Sequence, residues 1–147
     1  MTKDVPVHLT VPHFSVRCDV AMPLAEMAAK VSSALGCQLV EGDYHKIPGA
    51  SGILLGMDVG LFKWGGARGP TFRFQGEVES AAFADFMQDR PVQVSGVNLS
   101  QMVADVLTVV TGTSWRIPTA EDFAAERAYD DVVERNFAQD PDEDPEA

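Results

Sequence analysis

The sequence predicts a single α+β domain over residues 1–138 and a disordered acidic tail over residues 139–147. The domain is expected to hold an antiparallel sheet of about four to six strands and three main helices. In some segments apolar and polar residues alternate, which indicates strands, whereas in others the apolar residues recur every three or four positions, which indicates helices. A chain of 147 residues fits one domain, and a hydrophobic fraction of 46% is typical of a soluble globular protein.

The first part of the chain predicts a strand followed by a helix. Between residues 5 and 20 the apolar alternation changes phase after Pro12, which indicates a bulge, a bend or two short strands. Residues 24–35 keep their apolar side chains on one helical face, with Pro23 suited to the helix start and Gly36 to its end.

The middle of the chain predicts strands around a glycine-rich loop. Residues 53–64 are apolar on both faces of an extended segment, as in a central strand, and Gly56 and Gly60 imply bending or a close backbone approach. Residues 71–78 alternate cleanly, so a hairpin around the loop 65–70 is the simplest pairing.

Two more helices are predicted near the C-terminal end. Residues 98–112 carry an apolar stripe along one helix face, and Gly112 is a suitable stop. The last helix is predicted to run from Thr119 to Phe137. Thr119 and Asp122 have the spacing of a capping box at its start.

The acidity of the chain is concentrated in its last fifth. Residues 117–147 contain eleven Asp and Glu against two Arg, whereas residues 1–116 contain eleven against nine Lys and Arg. This asymmetry suggests a surface that contacts something basic, or a solvating tail. A pI near 4.5 argues against nucleic acid and anionic membranes as partners, because both are bound through clustered basic residues.

The last helix carries the first candidate binding surface. Asp122, Glu126, Asp130 and Glu134 recur every four residues, which places them on one helix face. Such an acidic ridge is suited to docking on a basic protein, because complementary charge speeds encounter and selects partners. The alternative is a solvated face that keeps the protein soluble, while the face with Tyr129 packs on the domain.

Three further side chains are candidates for the same partner. Phe123 would be an aromatic anchor if exposed, but its position in the helix favours packing back on Pro118 or Ile117. Trp64 and Arg68 flank or lie in the glycine-rich loop and are residue types favoured at binding surfaces, although a tight hairpin turn explains this loop more simply.

Neither catalytic chemistry nor a metal site is expected. His8, His13 and His45 match no standard zinc spacing with Cys18 or Cys37. A nucleophile pair of Cys37 and His45 lacks a local signature, and a thiol after a helix C-terminus is expected to have a raised pKa. We therefore expect a non-enzymatic protein without a cofactor, and no small-molecule substrate is indicated.

The expected compartment is the cytoplasm. No apolar run approaches the roughly 20 residues of a membrane span, and the first residues lack the apolar stretch of a secretory signal. In that compartment both thiols are expected to be reduced.

The layout as a whole resembles the bacterial immunity proteins of polymorphic toxin systems. The segments that carry the resemblance are 52–60, 69–74 and 111–119, the last of which leads into the acidic helix. The resemblance implies an acidic α+β protein of bacterial competition that binds a cognate protein toxin, expected to have a basic surface, and occludes its active site. A small secretion chaperone that binds an effector protein as a homodimer is the alternative, and a small enzyme with an unrecognised site is a third possibility.

Overall fold

The computed structural model of the protein describes residues 5–44, 47–66, 68–79 and 90–138. Seven strands and three helices lie within these residues and confirm the predicted α+β class. The strands are β1 (Val7–Cys18), β2 (Val40–Tyr44), β3 (Ile47–Leu54), β4 (Met57–Gly66), β5 (Gly69–Glu77), β6 (Val92–Asn98) and β7 (Trp115–Arg116). The helices are α1 (Leu24–Leu35), α2 (Ser100–Thr111) and α3 (Ala120–Ala138). The predicted tail, residues 139–147, lies outside the described part of the chain.

The strands form one sheet in the order β2-β3-β4-β5-β1-β6, and the short strand β7 also pairs with β1. Every pairing is antiparallel except that of β1 with β6, which is parallel. The sheet therefore has slightly more strands than predicted, and it includes one parallel pair. The predicted hairpin around the glycine-rich loop is the β4–β5 pair, which closes at Gly66 and Gly69.

The phase change in β1 coincides with a change of pairing partner. Residues 7–13 pair with β6 along one side of β1, and from Phe14 onward the strand pairs with β5 on its other side. On the β6 side, the N–H of Val7 bonds to Pro91 and the carbonyl of His13 accepts from Leu99. Because backbone groups alternate in direction along a strand, the nitrogen of Pro12 faces the β5 side of β1. Pairing with β5 starts only at Phe14, so no strand in the described part of the chain lies opposite this nitrogen. The proline therefore removes no hydrogen bond from the sheet.

The hydrophobic core lies between one face of the sheet and the helices α1 and α2. Its most deeply buried side chains are Val16, Leu61, Phe72 and Phe74 from the strands and Met27, Val31 and Leu107 from the helices. Phe74 contacts both Phe14 and Trp115, with ring centroids 5.0 and 6.4 Å away. Trp115 is thus buried where the connection between α2 and α3 meets the core.

Residues 53–64 do not form a single strand, which corrects the sequence-based prediction. β3 ends at Leu54, and β4 begins at Met57 after a two-residue turn. Leu55 and Gly56 in this turn have φ angles of 52° and 77°, the left-handed region used by type I′ hairpin turns. The turn is not obvious in the sequence because such turns favour Asn-Gly or Asp-Gly, whereas here an exposed leucine takes the first position.

We expect Leu55→Asn to stabilise the protein by about 1 kcal/mol, because asparagine tolerates left-handed backbone better than leucine. Urea denaturation gives the change in the free energy of unfolding. Leu55→Ala is the matched control, since it removes the exposed side chain but keeps a Cβ in the same backbone conformation. Equal stability of the Asn and Ala variants would contradict a backbone origin for the gain.

Candidate binding groove

Helix α3 packs on the face of the sheet opposite to the core and is anchored there by a buried ion pair. Arg17 of β1 is only 1% exposed, and its Nε and Nη2 donate to the two carboxylate oxygens of Glu126 at 2.6 and 2.7 Å. Its Nη1 donates to the Ser15 hydroxyl and the Val16 carbonyl. The guanidinium is therefore satisfied on every nitrogen, as a buried charge requires.

A second set of charges fixes the start of α3. Arg116 donates to Asp122 at 2.8 Å through Nη2 and to Asp19 at 2.8 Å through Nε. Asp122 also accepts from the backbone N–H and hydroxyl of Thr119, while its own N–H points to the Thr119 hydroxyl. This arrangement confirms the predicted capping box.

These contacts act on the carboxylates electrostatically. Hydrogen bonds from Arg116, and then from Thr119, hold the pKa of Asp122 well below its ordinary value despite burial. The pKa of Asp19 is lowered in the same way, first by Arg116 and then by the Thr71 hydroxyl. Both groups remain charged because their partners favour the ionised form.

The predicted acidic ridge on α3 is wrong as a solvent-facing row. Asp122 and Glu126 are only 2% and 5% exposed. Asp122 forms an ion pair with Arg116, and Glu126 forms one with Arg17. Asp130 is exposed, although it lies 4.0 Å from Arg73, and the side chain of Glu134 lies outside the described part of the chain. A helical wheel of α3 alone cannot show that arginines outside the helix, Arg116 and Arg17, pair with these carboxylates.

The two candidates near the glycine-rich loop differ in exposure: Trp64 is buried and Arg68 is exposed. Trp64 is 7% exposed and packs against Tyr129 of α3, with ring centroids 5.5 Å apart, so it holds α3 in place and is not an exposed contact. Tyr129 is half-buried, as predicted. Arg68 is half exposed and lies 3.9 Å from Asp19.

Beyond the start of α3, the same sheet face forms a groove of about 690 Å³ that opens to solvent. Ser15, Gly60 and Gln75 contribute to its floor, and Ile117, Pro118 and Phe123 line it at the start of α3. Ile117 and Phe123 are 41% and 48% exposed. Phe123 therefore lies beside the residues predicted to hold it, yet half of its side chain remains available for contact.

A phenylalanine ring seated on two glycines shapes another part of the groove. A Cβ on Gly49 would lie 2.7 Å from the Phe62 ring, and a Cβ on Gly60 would lie 2.9 Å from it. The ring can lie this close to the sheet because neither position has a side chain. The sequence signal at Gly60 thus reports a close approach, one of the two interpretations it allowed.

The charges that line the groove all have one sign among the described residues. Asp58, Glu77 and Glu79 line it, and no lysine or arginine does. Asp58 and Glu77 are exposed and lie directly opposite each other on β4 and β5, an arrangement that ordinarily destabilises a sheet. A cation placed between them would relieve this repulsion. Sequence reasoning missed these residues because only the strand register brings them together.

Among the residues that the structure describes, the other reactive groups show no comparable arrangement. Burial raises the pKa of both thiols. Cys18 is fully buried and Cys37 is partly buried. His45, the other half of the nucleophile pair considered from the sequence, lies outside the described part of the chain. Within that part, no three His, Cys, Asp or Glu side chains cluster closely enough to hold a metal ion, and no helix has the length and apolar character needed to cross a membrane.

No protein-family model matches the chain, and no curated protein and no solved structure matches it. A function must therefore be argued from the groove and its surroundings. The relevant properties are its shape, its uniform negative charge and its exposed apolar side chains.

Glu126→Leu is expected to lower the free energy of unfolding by about 3–5 kcal/mol, because Arg17 would remain buried without its carboxylate. The double variant Arg17→Met/Glu126→Leu should recover most of this loss, since two apolar side chains then replace the ion pair. Urea denaturation of the wild type, both single variants and the double variant measures the coupling. A double variant less stable than either single variant would contradict this account.

Asp122 should contribute a pH-dependent part of the stability. Its folded-state pKa lies below its unfolded value of about 4, so its contribution is present above that pH and is lost as the pH falls through the folded-state pKa. The stability difference between wild type and Asp122→Asn should therefore be large near pH 7 and shrink below about pH 4. Denaturant titrations across this range test it, with exposed Asp131→Asn as the control. A difference that stays constant down to about pH 3 would contradict the assignment.

Proposed function

We propose that this protein is a non-enzymatic inhibitor that binds a basic surface of another protein through the groove beside α3. The observation that carries the proposal is the lining of the groove, in which Asp58, Glu77 and Glu79 surround a cavity that also exposes Phe123 and Ile117. Carboxylates select a cationic partner, and half-exposed apolar side chains supply contact area.

The dimensions of the groove suggest how the partner is engaged. A volume of about 690 Å³ accommodates a few side chains but not a folded domain. A protein partner would therefore insert one or two lysine or arginine side chains between Asp58 and Glu77 and rest on the rim. The long-range negative field of a chain with a formal net charge of −11 would speed the encounter.

A toxin domain of a polymorphic toxin system is the partner that this chemistry and the sequence resemblance favour together. Toxins that act on nucleic acids or nucleotides carry basic active sites, because they bind phosphate. Occluding such a site requires a rigid acidic surface and no catalytic group. The buried ion pair of Arg17 and the capping box of α3 give the groove wall this rigidity.

A secretion chaperone remains the second candidate function. It is favoured by the apolar side chains exposed on α2, where Met102, Val109 and Val110 are 53%, 82% and 57% exposed. An extended apolar client would suit such a surface. A chaperone would bind its client with little dependence on salt, whereas the groove proposal requires a strong dependence.

The test uses the C-terminal domain of the protein encoded immediately upstream, the position expected for the gene of a cognate toxin. Asp58→Lys/Glu77→Lys should lower the association rate with this domain at least about tenfold, because it reverses the charge where the cation binds. Asp105→Lys/Glu41→Lys makes the same change in net charge at exposed positions away from the groove and should have a much smaller effect. Surface plasmon resonance at low and high salt measures both.

Survival of cells that co-express the upstream domain provides the functional readout. Wild type and the control variant should protect these cells, and the groove variant should not. Absence of a complex with the wild-type protein would overturn the toxin assignment. Equal association rates for the groove and control variants would overturn the groove as the contact surface.

A further inference from the structure

The two edge strands of the sheet differ in how they are protected against pairing. β2, at one edge, carries Glu41 and Asp43, both exposed, and charged side chains commonly prevent edge strands from adding further strands. β6, at the other edge, has the sequence Val-Gln-Val-Ser-Gly-Val-Asn, with neither a charge nor a proline. Val94 and Val97 on β6 are 48% and 42% exposed.

Along its outer side, β6 has backbone hydrogen-bonding groups that pair with no other strand in the described part of the chain. The carbonyl of Pro91 and the N–H of Leu99 both bond to β1. The backbone groups of the odd-numbered residues between them therefore also face β1. By alternation, the N–H and C=O groups of Val92, Val94 and Gly96 point away from β1. Among the described residues, β1 is the sole strand neighbour of β6.

We propose that this edge pairs with the same edge of a second copy of the chain, antiparallel and about a two-fold axis. Such an interface is self-complementary, because the outward groups of one β6 are acceptors and donors for those of the other. The axis stands normal to the sheet, so the double sheet keeps both binding grooves on the same face. Asn98, at the end of β6, also lines the groove, so the shared edge lies next to the groove of each copy.

Charge identifies a second copy as the occupant. Two chains of formal net charge −11 repel each other, and the repulsion opposes contact least where the surface carries no charge. The segment 92–112, which comprises β6 and α2, contains a single charged residue, Asp105. A basic partner would gain no electrostatic advantage at this neutral edge, whereas it would at the groove. The contact is short, so it belongs with the small interfaces of transient complexes.

Val94→Lys tests the proposal by placing like charges on both sides of the shared edge. Sedimentation equilibrium over a wide concentration range should show a reversible wild-type dimer, and Val94→Lys should weaken it at least about tenfold. Val40→Lys is the matched control, because Val40 is an exposed valine on the opposite edge strand and the change in net charge is identical. Added salt should strengthen the dimer by screening repulsion, the opposite of its expected effect at the groove.

Hydrogen exchange measured residue by residue provides an independent readout. At low concentration the amides of Gln93, Ser95 and Val97 should exchange slowly and those of Val94 and Gly96 quickly. At high concentration Val94 and Gly96 should become protected as well. A wild type that stays monomeric at millimolar concentration, or equal dimerisation by the Val94→Lys and Val40→Lys variants, would overturn the proposal. Neither result would affect the test of the groove.

Discussion

The burial of Arg17 is the constraint on which the arrangement of the rest of this protein depends. A guanidinium buried between a sheet and a helix must be neutralised and hydrogen-bonded, because removing a charge from water without compensation costs several kcal/mol. Glu126 supplies the compensation, and it does so from α3, 109 residues away in sequence. The position of α3 on the second face of the sheet follows from this pairing, as does the boundary of the groove beside it.

The ion pair is better understood as a device for positioning than as a source of stability. A buried pair gains little over apolar side chains of similar size, but it strongly disfavours arrangements in which either charge loses its partner. The two-pronged contact between Arg17 and Glu126 fixes both the rotation and the translation of α3. Arg116 and Asp122 form a second ion pair one helical turn earlier, and it positions the start of α3 in the same way. The exposed half of Phe123 is thereby held over the groove.

Features encoded over a few neighbouring residues could be predicted from the sequence. The capping box of Thr119 and Asp122 and the change of phase at Pro12 are of this kind, because hydrogen bonds and strand alternation act locally. The pairing of Arg17 with Glu126 could not be predicted, since it depends on packing between segments 109 residues apart. The facing of Asp58 and Glu77 depends on the register of the β4–β5 hairpin, which was predicted as a pair of strands but not residue by residue. The turn at Leu55 was missed because its first residue is unfavourable for the backbone conformation it adopts.

The sequence separation of Arg17 and Glu126 has a consequence for the synthesis of the protein. The arginine leaves the ribosome more than a hundred residues before its carboxylate, a delay of roughly 5–20 seconds at ordinary rates of translation. During this interval the strands can condense with α1 and α2 on one side, while Arg17 keeps the other side hydrated. The second face of the sheet therefore stays open to water until α3 has been synthesised and can pack on it.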